Sequence, residues 1–150
     1  MSRAALAFAL VVAASTAHAA TFRVDDTATL PSEANTVMQW KSPAPGRGAT
    51  NDVEGRSVIT VRLNTAPWMN RNGKIFLALP PVNIGEVTAD WTTQGRLLAG
   101  QVRSGSRTLV FAGPIRSSVI EDTILLRITA DGTRLASPQR LDFHFEIDID

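Results

Sequence analysis

From Thr21 onward nearly every segment of this chain alternates apolar and polar residues at a period of two, and no stretch keeps a helical stripe for eleven residues. That property restricts the chain to strands, because neighbouring side chains on a strand point to opposite faces, whereas a helix needs apolar residues three and four apart. The most regular stretch is 21–30. Phe22, Val24, Ala28 and Leu30 share one face, Thr21, Arg23, Asp25, Thr27 and Thr29 the other, and Asp26 is the interruption. It predicts one half-buried strand. Residues 35–41 bring Met38 and Trp40 to one side, 57–63 turn Ile59, Val61 and Leu63 inward, and Val87, Ala89 and Trp91 alternate with Thr88, Asp90 and Thr92. Residues 74–79 are apolar on both faces, as in a central strand, and further strands are predicted over 96–103, 107–112, 123–130 and 139–149.

Three dipeptides mark turns. Asn72 with Gly73, Ser104 with Gly105 and Asp131 with Gly132 tolerate the positive φ that two-residue hairpins require. Residues 42–54, with Pro43, Pro45, Gly46 and Gly48, read as one long loop inside a single domain. Trp40 and Trp91 fall on the apolar sides of their strands and are expected in the core. These signals predict an all-β, antiparallel, immunoglobulin-like β-sandwich of about seven to nine strands, with a soluble barrel as the other closure of the same pattern. An outer-membrane barrel needs aromatic girdles at two interfaces, and this sequence has no Tyr and only 6% aromatic residues.

The first residues follow different rules. A short basic start ending at Arg3 precedes eleven uninterrupted apolar residues, 4–14, and then Ala17, His18 and Ala19 form a small-x-small cleavage site. Residues 1–19 are therefore expected to be a signal-peptide helix and 20–150 a single β-sandwich domain. Eleven helical residues rise about 16 Å, too little for a hydrocarbon core of about 30 Å. No stable membrane insertion is expected after cleavage.

The charge balance then changes slightly. The full chain has 15 Lys and Arg against 14 Asp and Glu, and cleavage removes Arg3 and no acid, leaving a formal charge of zero. Such a chain carries no electrostatic footprint for nucleic acid. It also has no Cys, which excludes a thiolate zinc site or a cysteine nucleophile and, in an exported protein, leaves stability to the core alone. Thirteen of the 15 basic residues are Arg, a usage that fits a bacterial genome rich in G and C.

Catalytic chemistry has little to build on. His144 is the one histidine that outlasts cleavage, and no G-x-S-x-G elbow, H-E-x-x-H helix or phosphate-cradling glycine loop occurs. Leu141, Phe143, Phe145, Ile147 and Ile149 form one face of the last predicted strand; Asp142, His144, Glu146, Asp148 and Asp150 form the other. That row reads as a solvated face whose charges oppose edge pairing in preference to a cation site. No metal or other cofactor and no enzymatic activity are expected.

Binding surfaces are easier to propose. Trp68 lies in a polar turn after Pro67, beside Asn70 and Arg71, where its ring either folds back under the loop or meets carbohydrate or protein. The strand carrying Phe22, Val24, Ala28 and Leu30 is a candidate for pairing with a partner's sheet by β-augmentation. The general plan of an exported β-sandwich with an alternating N-terminal segment is similar to that of chaperone-assembled pilus subunits, although this chain lacks their cysteine pair. The expectation is an exported bacterial protein of the periplasm or cell surface, acting through protein contacts as a structural or adhesive subunit. Its partners would be other subunits or a periplasmic chaperone. A carbohydrate- or small-ligand-binding module is the alternative, and a carboxylate-based hydrolase a third.

Overall fold

In a computed structural model, residues 19–42 and 50–150 are described. The predicted signal peptide, apart from Ala19, and the stretch 43–49 of the predicted loop lie outside the described residues. Among the described residues ten strands run in the order β1 (Ala20–Arg23), β2 (Leu30–Pro31), β3 (Gln39–Trp40), β4 (Asp52–Asn64), β5 (Asn72–Leu79), β6 (Val87–Thr93), β7 (Gly100–Arg103), β8 (Ser106–Pro114), β9 (Val119–Asp131) and β10 (His144–Ile149). Every pairing is antiparallel. One sheet has the order β1-β10-β5-β8 and the other β2-β4-β9-β6-β7, with β3 added to β4.

The alternation read from the sequence becomes the burial pattern. In the larger sheet Val61 and Leu63 of β4, Ile124 and Leu126 of β9 and Val87, Ala89 and Trp91 of β6 point to one side. Ile75 and Leu77 of β5 and Phe145, Ile147 and Ile149 of β10 do the same in the smaller sheet. The two inward faces merge into one hydrophobic cluster, a sandwich-like core. Gly105, at φ 83°, allows the two-residue turn by which β7 of one sheet passes into β8 of the other.

Several predicted boundaries are corrected. Asn72 and Gly73 open β5 and form no turn; the positive φ of 62° falls instead on Asn70. Asp131 ends β9 by capping a short 3₁₀ turn, Gly132–Arg134, through a bond from the Thr133 N–H. β4 starts at Asp52, inside the predicted loop, and extends to thirteen residues because Val53 continues its inward face. The strands predicted over 96–103 and 139–149 start late, at Gly100 and His144, and 35–41 contributes only Gln39–Trp40. Trp91 is buried, but Trp40 is 48% exposed, its ring lying against Gly132 at the sheet margin. Met38 lies over Gly55 of β4 so closely that a Cβ there would overlap its sulfur.

The largest correction concerns 21–30, which is two short strands in two sheets. Val24 donates its N–H to the Phe145 carbonyl in one sheet, and the next residue, Asp25, accepts from the Asn64 N–H in the other. The Asp25 carboxylate then accepts from both the N–H and the hydroxyl of Thr27, an Asx turn that competes successfully with strand continuation. The phase of the alternation is lost with it. Phe22 and Val24 still face the core side of β1, while Ala28 is exposed in the turn and Leu30 is 65% exposed on β2.

Candidate assembly edge

Among the described residues β1 is the outermost strand of the smaller sheet and pairs on one side only, with β10. Its four residues match Ala20 to Ile149, Thr21 to Asp148, Phe22 to Ile147 and Arg23 to Glu146. Just past its end Val24, at 1% exposure, is the one fully buried anchor of this segment, whereas all four residues of β1 are exposed. Phe22, 44% exposed, lies with its ring centroid 6.0 Å from that of Trp68 and tilted by 42°. Thus β1 covers the margin of the core, anchored by the buried Val24 and exposed along its own four residues.

The Trp68 loop supports this strand from below. Pro67 begins a 3₁₀ turn, Ala66–Trp68, that leads the indole back into the core at 9% exposure. Thr65, fully buried, donates its hydroxyl to the Ser117 carbonyl at 2.6 Å, and Asn70 donates its N–H to the Ile115 carbonyl at 2.8 Å. The ring therefore presents no open platform to a ligand. Asn70 and Arg71 remain exposed beside it, and Arg71 donates to the main-chain oxygen of Asp150 at 3.2 Å.

The outer face of the same edge is held by one guanidinium that sequence reasoning missed. Arg107 of β8 reaches over the Phe76 ring, 4.1 Å from its centroid, and makes a two-pronged contact with Asp148 of β10 at 3.0 and 2.9 Å. A third contact, 3.3 Å, goes to Glu146, whose other oxygen lies 3.0 Å from His144 Nε2. Asp148 also accepts from the Thr21 hydroxyl of β1 at 2.6 Å. The bond from Arg107, and then that from Thr21, hold the Asp148 carboxyl below its ordinary range, and the same contact with Asp148 raises the Arg107 guanidinium. The acidic row of β10 is thus engaged across three strands, not simply solvated as expected from sequence. An arginine opening a strand carries no signal of such a reach, because its partner lies 41 positions away.

Asp122 is a second missed residue. It sits among the inward side chains of β9 at 7% exposure, and its carboxylate accepts from the N–H groups of Gln94, Leu97 and Thr123 at 3.2, 2.8 and 2.7 Å. Those bonds tie the β6–β7 connection and explain why a strand does not begin at residue 96. The burial of this acid is structural, since its acceptors are occupied by backbone donors.

A cleft of about 920 Å³ opens between the stretches 29–38 and 135–143, floored by Ile59, Leu126 and Ile128 and flanked by Leu141 and Phe143. Of the predicted partner-strand residues, Phe22 and Val24 stand at one end of this line on β10, while Ala28 and Leu30 point elsewhere. Among the described residues no helix is long and apolar enough to cross a membrane. Comparison with protein-family models, with curated proteins and with solved structures finds no match for this chain.

Proposed function

We propose that this chain is an exported bacterial protein, cut after Ala19, whose immunoglobulin-like β-sandwich serves as a structural or adhesive subunit in the periplasm or at the cell surface. It works through protein–protein contacts, its partners being other subunits or a periplasmic chaperone. The observation that carries this reading is the placement of β1: a four-residue edge strand, next to the predicted cleavage site, paired among the described residues only with β10 and lidding a core margin. A short, exposed edge strand is a segment that another chain can replace with the same backbone hydrogen bonds. The burial of Trp68 weighs against the carbohydrate-module alternative, which relied on an open ring.

The test is light scattering coupled to size-exclusion chromatography, on chains starting at Ala20 and at Pro31. The longer chain is expected to form oligomers that increase with concentration, and the shorter chain to lose them. A longer chain that stays monomeric at every concentration, while the shorter one fails to fold, would sink the subunit reading.

A further inference from the structure

Two alternating stretches in this sequence are only half used. The pattern 21–30 is engaged on β10 only as far as Val24, and the pattern 139–149 pairs only from His144 onward. Among the described residues, 139–143 belongs to no strand pairing on either side. The β1–β10 register sets Thr21 opposite Asp148 and Arg23 opposite Glu146. Continued without a break, that register sets Asp26 opposite Phe143, Ala28 opposite Leu141 and Leu30 opposite Gln139. The parity is also right: Val24 faces inward, so Ala28 and Leu30 on a straight strand face inward too, toward the cleft floored by Ile59, Leu126 and Ile128.

We infer that this cleft is the second half of the β1 site and that it receives residues 26–30 of a second copy of this chain, zipped onto 139–143 in the same register. The inference rests on the reading of β1 as an exchangeable strand and names where the rest of that strand goes. One chain cannot complete the zipper itself while β2 is in place. Pro31 pairs with Ile59 and Ser32 donates to the Val58 carbonyl, so both are held on β4 across the cleft from Gln139. The single peptide unit between Leu30 and Pro31 spans only about 3.8 Å. A second copy has no such tether to this β4. Its segment brings two apolar side chains, Ala28 and Leu30, that its own fold leaves outside the core, to a cleft whose floor is apolar. Asp26, the break in the alternation, shares this parity and faces inward opposite Phe143, at the position where β1 now gives way to the Asp25 turn.

The absence of Cys makes the arrangement readable by disulfide trapping. Directly opposed residues on antiparallel strands lie about 4.5–5.5 Å apart at Cα, within disulfide reach. Chains carrying Ala28→Cys alone and Leu141→Cys alone are co-refolded from denaturant at high concentration and oxidised, so that only a contact between copies closes the bridge. A second mixture, Leu30→Cys with Gln139→Cys, uses two exposed positions in case Leu141→Cys disturbs folding. The mixture Arg23→Cys with Glu146→Cys reports exchange of β1 itself. A reducible heterodimer is expected in all three, at least tenfold above that in a mismatched mixture, Ala28→Cys with Arg134→Cys. Bridging at 23–146 but at neither 28–141 nor 30–139 overturns the cleft assignment and leaves the exchange reading standing. Bridging in none overturns both.

Discussion

β4 with β9 and β1 with β10 are both antiparallel pairs drawn from alternating sequence, and they are used to very different extents. β4 and β9 match over all thirteen residues, from Asp52 with Asp131 to Asn64 with Val119, at the centre of the larger sheet. β1 and β10 match over four, at the rim of the smaller one. The difference lies in what flanks each strand. β4 and β9 have neighbours on both sides and inward residues that are almost all buried, whereas β1 has one neighbour and one deep anchor, Val24. A period of two therefore identifies residues able to pair; neighbours on both edges decide how firmly they do so.

This contrast predicts an ordered series of losses in denaturant unfolding. Leu63→Ala in β4 removes a fully buried side chain and is expected to cost about 3–4 kcal/mol, the central range for such cavities. Asp122→Ala takes this acceptor from the Leu97 and Thr123 N–H groups and leaves the Gln94 N–H with the Thr123 carbonyl alone, and is expected to cost about 2–3 kcal/mol. Phe22→Ala, at the half-exposed rim, is expected to cost about 1 kcal/mol, because only part of its ring leaves water on folding. If Phe22→Ala proved as costly as Leu63→Ala, β1 would belong to the same firm unit as the β4–β9 ladder.

The smallest effect is electrostatic. Arg107→Ala is expected to cost about 1 kcal/mol or less, given a guanidinium more than one third exposed. Its sharper signature is in pH. Asp148 is held below its ordinary range chiefly by Arg107, with Thr21 and Lys74 also favouring the ionised form. Its contribution is fully present above the unfolded carboxylate range and disappears as the pH falls through the lowered value in the folded state, below about pH 4. Asp25 is lowered in the same direction by its bonds from Thr27, so the turn that ends β1 weakens in the same acid window. Asp148→Asn is expected to lower stability at neutrality by about as much as Arg107→Ala and to flatten the profile below about pH 4. An unchanged acid slope in Asp148→Asn would remove the carboxylate from the account of how β1 is held.

The fold class was legible because burial in a two-sheet protein follows parity, and parity is written into residues such as Ile59, Val61 and Leu63 or Val87, Ala89 and Trp91. Strand ends were less legible, since they depend on hydrogen bonds from remote residues. Asp122 fixes the backbone at 94–97 from 25 or more positions away, and Asp25 redirects a stretch that alternates without regard to it. The Trp68 turn could be located from Pro67 but not given its direction, which depends on Thr65 meeting Ser117. For the candidate site, the shared inward side of Phe22 and Val24 followed from alternation alone. Arg107 and the cleft did not, because each arises from how the two sheets are placed and neither has a local signature.

If another molecule's N-terminal segment can fill the β1 site, a synthetic peptide of residues 20–30 should bind a chain that starts at Asp25, and thermal unfolding reads this binding. The truncated chain is expected to fold with lower stability, and its Tm to rise in a saturable way with the peptide, and not with a peptide in which Phe22 and Val24 are replaced by Ser. A truncated chain whose Tm is the same with either peptide, or which no peptide restores to a folded state, would contradict exchange at the β1 site.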